Sequence, residues 1–295
     1  MPGLGAPDFW SWRPRRTQYA IRDGMLVPGG GETGRYDALK RRELPSAIAT
    51  LQAGDEKAVL RFARLYGKLG YDQSSHTGEP LAWIWAHAFL LRWCLRVTGL
   101  LAEGSEKDIA DTSAWLLSRK PPPEEERTLA TIEAYSARYD PQIEAYNQAI
   151  VPLDEVQYLG PARPASALLT LPYGPYACRE PVDGARAHVR MAREWILNAS
   201  MGHIHRLFLD RDPEPPWSVY VLDRLVGYAY WHLANALEDR KATMRRCATC
   251  DRWFFPTDAR QRFCPPGPGQ QGSRCAARKR MRAARQHAAR GSRPA

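Results

Sequence analysis

Cysteine is scarce in this chain of 295 residues, and its six cysteines are unevenly spread. Cys94 and Cys178 stand alone, and the other four lie together near the C-terminal end. Such scarcity excludes the small disulfide-rich class of secreted proteins, and in a reducing compartment the clustering favours a metal site over disulfide bonds. The clustered cysteines are Cys247, Cys250, Cys264 and Cys275.

Long apolar runs are also missing. The most apolar segment, Leu81 to Leu101, is interrupted by His87, Arg92 and Arg96, which leaves less than the roughly 20 residues of a membrane span. We therefore expect a buried central helix, with tryptophans that serve in packing. The first residues, rich in Pro, Gly, Trp and Arg, do not resemble a secretory signal. The sequence thus predicts a soluble, cytoplasmic protein with no membrane partner. The packing tryptophans are Trp83, Trp85 and Trp93.

Acidic residues are nearly absent from the C-terminal part of the chain. From Arg245 to Ala295 there are thirteen Lys and Arg residues but only two acidic ones, a net charge of +11. The whole chain carries +10, so residues 1–244 carry −1. This asymmetry predicts a polyanionic partner for the basic part, with nucleic acid first.

The apolar fraction of 44% and the ten tryptophans predict a packed core. Most segments have helical periodicity, so the predicted fold class is mainly α: a helical N-terminal domain followed by a small zinc finger, which consists of a short β-hairpin and a basic helix. The predicted divisions are a partly extended segment (1–40), a helical domain (41–244, here the body), the zinc finger with its basic helix (245–287, here the finger) and a disordered tail (288–295).

Local signals mark several elements. Asp23-Gly24 between short apolar runs predicts a two-residue hairpin, and the glycine-rich segment 28–34 after it predicts a loop. Asp55 and Glu56 mark a helix start, with Gly67 or Gly70 as its end. Further helices are predicted from Ser105 and from Glu124. The irregular segment 152–181 precedes two more helices, Gly184 to about Leu209 and about Ser218 to Glu238.

The spacing of the clustered cysteines is typical of a zinc site. A Cys-x-x-Cys turn is followed by thirteen residues, Cys264, ten residues and Cys275. Zinc prefers four soft ligands in a tetrahedron, and a tight turn can offer two thiolates to one ion. A domain this small cannot bury enough apolar surface alone, so the metal contributes much of its folding energy. Its small core is predicted to contain Trp253, Phe254 and Phe255.

The segment "RRCATCDRWFFPTDARQRFC" followed by "RCAARKRMRAAR" resembles the C-terminal zinc finger of bacterial CGNR-type proteins. The resemblance covers Arg245 to Arg285. It implies a variable helical N-terminal domain, Zn²⁺ held by the four clustered cysteines, and a DNA-binding regulatory role. The family motif reads Cys-Gly-Asn-Arg, whereas this chain has Cys275-Ala276-Ala277-Arg278, and the insert before Cys275 is longer.

The basic residues around the cysteines are the candidate nucleic-acid contacts. Arg278, Arg282 and Arg285 fall on one face of a segment rich in helix formers, and such a surface neutralises phosphates without reading base sequence. The full candidate set is Arg245, Arg246, Arg252, Arg274, Arg278, Lys279, Arg280, Arg282 and Arg285.

These patterns predict a zinc-dependent nucleic-acid-binding protein, with DNA favoured over RNA, that acts in transcription regulation through a helical sensing or assembly domain. An alternative is a nucleic-acid-binding subunit of a larger ribonucleoprotein or defence complex, with protein partners. A third reading, an RNase-like enzyme, needs a convergent pair such as Arg193 and His203, whose spacing is too wide. No catalytic set is visible, so the prediction is that the protein is not an enzyme.

Overall fold

The computed structural model describes residues 12–70, 78–103, 107–108, 125–137, 205–211, 214–221, 224–238, 244–256, 258, 260–266 and 272–291. Its strands are β1 (Trp12–Arg22), β2 (Met25–Asp37), β3 (Glu79–Pro80), β4 (His205–Arg211), β5 (Glu214–Val221), β6 (Arg245–Arg246) and β7 (Trp253–Phe254). Its helices are α1 (Leu44–Ala49), α2 (Glu56–Tyr66), α3 (Leu81–Glu103), α4 (125–137), α5 (Leu225–Glu238) and α6 (Arg274–Gly291).

The centre of the fold is α3, the predicted buried helix. It is apolar nearly all round, and its side chains are buried almost without interruption from Leu81 to Leu100. Short α1 and the longer α5 pack against it, and so does β7 from the C-terminal part of the chain. The tryptophans of α3 are buried in this core, which confirms their predicted packing role. Within the described part of the chain, none of the helices combines the length and apolarity that a membrane crossing requires.

A three-stranded antiparallel sheet, in the order β1-β2-β3, covers one side of the body. The predicted turn is confirmed: Asp23 and Gly24 both have positive φ, of 50° and 75°, as a two-residue type I′ hairpin loop requires. The predicted loop at residues 28–34 is wrong, because this segment continues β2. Gly29 lies opposite Gln18 of β1, and Gly34 lies opposite Arg15. The register shifts on either side of Arg16.

Helix α2 follows its local signals. The Asp55 carboxylate accepts a hydrogen bond from the Ala58 N–H at 2.9 Å and so caps the helix N-terminus. Gly67, with φ of 82°, ends the helix, as predicted. Val59, Phe62 and Ala63 form its buried face, which lies against the β-sheet through β1.

The largest departure from the predicted fold lies between residues 205 and 221. The sequence predicts one helix to about Leu209 and another from about Ser218, but these residues form the antiparallel hairpin of β4 and β5, with Leu207 opposite Val219. Pro215 and Pro216 cannot continue a helix interior, and the aromatic and β-branched residues after them favour an extended chain. The α-helix starts only at Leu225.

The described residues therefore form six helices and three small sheets, which confirms the predicted class in part: helices form the core, but there is more β-structure than the sequence predicted. Helix α6 continues to Gly291, whereas a disordered tail was predicted from 288, because Ala288, Ala289 and Arg290 favour a helix. The predicted segment 152–181, most of the helix predicted from Ser105, Arg193 and His203 lie outside the described residues.

Candidate metal centre and basic helix

The first two clustered cysteines lie in a tight turn between β6 and β7. The Cys247 N–H donates to the Arg252 carbonyl at 2.9 Å, and the Asp251 N–H donates to the Cys247 carbonyl at 3.1 Å. Asp251 closes the turn with φ of 57°, a left-handed conformation that Asp tolerates better than most residues. This turn brings the thiols of Cys247 and Cys250, which are three positions apart in sequence, close to one another.

Backbone hydrogen bonds bring the second pair of cysteines to this turn. The Ala248 N–H donates to the Arg262 carbonyl at 3.0 Å, which fixes the chain just before Cys264. The Thr249 hydroxyl donates to the Cys275 carbonyl at 3.3 Å, which fixes the start of α6. Ser273 caps α6 by accepting the Ala276 N–H at 3.4 Å. The thirteen residues before Cys264 and the ten residues before Cys275 therefore both lead back to the turn that holds Cys247 and Cys250.

The four predicted cysteines come together in one cluster. Their sulfur atoms all lie within 4.8 Å of one another. Cys250 and Cys264 Sγ are 3.9 Å apart, and Cys264 and Cys275 Sγ are 3.4 Å apart. A disulfide bond would bring two sulfurs to about 2.05 Å, whereas a regular tetrahedron of metal–sulfur bonds of about 2.3 Å separates them by about 3.8 Å. The cluster thus has the dimensions of a four-thiolate metal site.

The thiols perturb one another in a way that a cation would relieve. Burial raises the pKa of Cys250 to about 11, assisted by its thiol neighbours, and raises the pKa of Cys264 above its usual range. Burial acts in the same direction on Cys247, but surrounding backbone N–H groups outweigh it and lower the pKa to about 7. The Cys247 thiolate is favoured, while Cys250 and Cys264 resist ionisation beside it. A bound divalent cation would stabilise all four as thiolates.

The aromatic residues of the finger do not form the predicted common core. Phe254 alone of the three is buried with Cys247 and Cys275, and Phe263 packs at the edge of this group. Trp253 and Phe255 instead pack against the core of the body. Alternate residues of a strand point to opposite faces, so β7 places Phe254 toward the cysteines and its two neighbours toward the body.

Contact between the finger and the body is close at two points. The indole ring of Trp253 lies directly on Gly99 of α3, so that a Cβ atom at Gly99 would overlap it. The Phe255 N–H donates to the Ser46 hydroxyl of α1 at 3.4 Å in a buried position. Met244, just before the finger, is also buried in the main core. The finger is therefore seated on α1 and α3.

The nine predicted basic contacts divide into two groups. The Arg245 guanidinium donates to the Gln261 carbonyl at 3.3 Å, Arg246 pairs with Asp251 at 3.4 Å, and Arg252 faces a cleft against α3. The other group belongs to α6, which contains no acidic residue, and every residue from Arg278 to Gln286 is exposed. The α6 group is Arg274, Arg278, Lys279, Arg280, Arg282 and Arg285.

Two arginines of α3 have structural partners that the sequence did not indicate. In the sequence they only interrupt an apolar run. The Arg92 guanidinium donates to the carbonyls of Ala49 and Leu51, both at 3.2 Å, and pairs with Glu125 at 3.4 Å. It thereby satisfies carbonyls at and beyond the end of α1. Arg96 lies 4.8 Å above the ring of Trp93 and is exposed. Hydropathy patterns do not reveal the partners of Arg92, which lie more than thirty residues away in sequence.

Comparisons with protein-family models, with curated proteins and with solved structures give no match to this chain. The resemblance to CGNR-type zinc fingers therefore stays a prediction, based on the quoted residues alone. What can be stated of the site comes from its geometry: a four-cysteine cluster able to hold a metal ion, at the base of an exposed basic helix.

Proposed function

We propose that this protein binds nucleic acid through α6 and that a zinc ion in the cysteine cluster holds this helix in place. The observation that carries the proposal is the position of Cys275. It is buried in the cluster and belongs to the first turn of α6, while the helix from Arg278 to Gln286 is exposed. One residue thus joins the metal site to the basic surface.

Zinc is the metal that fits this donor set best. All four donors are sulfur, which disfavours magnesium and calcium, since both prefer oxygen ligands. Four thiolates saturate one tetrahedral ion and leave no open position for a substrate, as is typical of a structural rather than a catalytic zinc site. An iron site would be distinguished by its visible absorbance, because zinc thiolates are colourless.

The exposure of α6 supports a polyanionic partner. A helix of a monomeric protein usually buries an apolar stripe, but α6 buries none of its residues from Arg278 to Gln286. Arg278 and Arg282 are four positions apart, a like-charge spacing that destabilises an isolated helix. Phosphates placed along α6 would replace this repulsion with charge-assisted hydrogen bonds. Duplex DNA, with its dense and regular phosphates, is the partner that we favour.

In this proposal the protein acts as a DNA-binding transcription regulator, with the body as its sensing or assembly domain. The alternative, a subunit of a larger ribonucleoprotein or defence complex, is supported by Met281. This side chain is 55% exposed in the middle of α6, and flexible apolar side chains of this kind are common at protein-binding surfaces. Competition of a bound random duplex by single strands and by structured RNA distinguishes the two readings.

Changing Arg278, Arg282 and Arg285 together to Ala should weaken nucleic-acid binding mainly through charge. Each arginine that neutralises a phosphate contributes about 0.9 to the slope of log affinity against log salt for duplex DNA. Loss of three contacts should lower the magnitude of the slope by about 2.7. The measurement is a titration of labelled random duplex by fluorescence anisotropy at four or five salt concentrations.

The matched control changes the same number of exposed charges on the body. Lys57 and Arg64 of α2 and Arg127 of α4 are exposed, and their replacement by Ala leaves α6 intact. We expect the slope of this control to stay close to that of the unchanged protein. If the body variant flattens the slope as much as the α6 variant does, α6 is not the nucleic-acid-binding element.

A further inference from the structure

A cleft separates the finger from the C-terminal half of α3. Its volume is about 610 Å³, within the range of small-molecule sites. Arg92, Trp93 and Arg96 line it from α3, and Arg252, Trp253 and Cys264 line it from the finger. The body supplies one wall and the metal-binding loop supplies the other, so neither part forms the cleft alone.

Two of the arginines that line the cleft are not neutralised by a carboxylate in the described part of the chain and could therefore bind an anion. Glu125 pairs with Arg92, and Asp251 pairs with Arg246, so these two carboxylates are already neutralised. In the described part of the chain, Arg96 and Arg252 make no ion pair with any carboxylate. Four arginines and three acidic residues, the third being Asp108, are among the residues that line the cleft.

Like charges converge on the cleft from both walls. Burial lowers the pKa of Arg92, and the positive charge of Arg252 lowers it further, against the raising effect of Glu125. Arg252 thus lies close enough to Arg92 for mutual repulsion. An anion between the walls would remove this repulsion and would receive donors from two directions.

We propose that this cleft is a binding site for a nucleoside phosphate, with the phosphate held between Arg96 of α3 and Arg252 of the finger. Trp253, which lines the cleft and is only partly buried, offers an aromatic surface for a base. The ligand is either a free nucleotide or the phosphorylated end of a nucleic-acid strand, since both present the same chemistry. This site is separate from the surface of α6 and does not depend on the function proposed for that helix.

The position of the site gives the bound phosphate a structural consequence. Arg252 lies two residues beyond the ligand Cys250 and directly before Trp253, the residue seated on Gly99. A ligand that bridges Arg252 and Arg96 would therefore hold the finger against α3. Because it binds only the seated arrangement, it would shift the population toward that state.

Equilibrium dialysis of the full zinc-loaded chain against radiolabelled ATP and AMP tests the proposal. We expect saturable binding of at least one nucleotide, and we expect Arg96→Gln and Arg252→Gln each to weaken it about tenfold or more, as loss of a charge-assisted hydrogen bond predicts. Matched controls are Lys57→Gln and Arg64→Gln, both exposed on α2, which should change the dissociation constant less than twofold. Zinc content and far-ultraviolet circular dichroism check that each variant is folded.

A second arm uses a short single strand with either a 5′-phosphate or a 5′-hydroxyl group. Tighter binding of the phosphorylated strand, lost in Arg252→Gln, would assign the site to a nucleic-acid end, whereas ATP or AMP binding without such a preference would assign it to a free nucleotide. The proposal is overturned if neither source binds, or if binding is the same in all four variants. The proposed nucleotide site contains no residue of α6. The prediction of nucleotide binding and the prediction of salt-dependent duplex binding can therefore fail independently.

Discussion

A single methyl group added at Gly99 should unseat the finger. The Cβ atom of Gly99→Ala would overlap the indole ring of Trp253, and both sides of this contact are anchored: α3 is the central helix, and Trp253 belongs to β7. Overpacking of a core costs about 1–3 kcal/mol, and we expect the upper end of this range. Urea denaturation should show the loss, and hydrogen exchange should rise in residues 244–256 and in the C-terminal half of α3.

The effect of Gly99→Ala on the free energy of unfolding should have the opposite sign once the indole is removed. In a Trp253→Ala background the three atoms nearest to a Cβ at Gly99 are gone, and Ala is favoured over Gly in a helix interior by about 1 kcal/mol. Gly99→Ala should then stabilise the protein slightly, although Trp253→Ala alone destabilises it. Equal destabilisation by Gly99→Ala in both backgrounds would show that Trp253 does not rest on this glycine.

Removal of the metal should loosen more than the finger. Purified protein should contain about one zinc per chain by elemental analysis, and a chelator should increase hydrogen exchange throughout residues 244–266. Because Met244, Trp253 and Phe255 pack on the body core, exchange should also rise in α1 and near Gly99 of α3. Burial of an apolar side chain contributes about 1.5–3 kcal/mol, so we expect the free energy of unfolding to fall by several kcal/mol.

Two cysteine variants serve as controls for the effect of the chelator. Cys264→Ser should reproduce the effect of the chelator and lower the zinc content, whereas Cys94→Ala removes a buried thiol of α3 outside the cluster and should keep the zinc. The β1–β2 hairpin, which packs on α2 through β1, should keep its protection. A chelated protein with unchanged exchange in α1 and α3 would mean that the finger folds as a separate unit. Metal-free protein as purified would contradict the zinc site itself.

Some features of this protein could be predicted from local patterns because their causes lie within a few residues. Asp23-Gly24 determines its hairpin through backbone conformations that few other pairs adopt. Asp55 and Gly67 begin and end α2 through a hydrogen bond and a left-handed backbone. The clustered cysteines were recognisable for a chemical reason, since thiolates at this spacing in a reducing environment have one common use.

Other features depended on partners that are distant in sequence. The segments on either side of Pro215 have enough apolar residues to suggest helices, and it is their mutual pairing that makes β4 and β5. Trp253, Phe254 and Phe255 are all large aromatic residues, so composition could not tell which one packs on the cysteine cluster. That division follows from the strand geometry of β7 together with the presence of α3 beside it.

The sequence by itself therefore determined which groups are present: four thiols able to hold one metal ion, a basic segment after them and a buried central helix. Tertiary structure alone decided how these parts are joined. Gly99 provides the only kind of surface on which the flat indole of Trp253 can lie so close, and the contact brings Arg252 toward Arg92 and Arg96. Residues of α3 and of the finger, more than 140 positions apart in sequence, meet at this cleft. They can do so because burial of apolar surface is non-directional and acts on whichever faces the chain brings together.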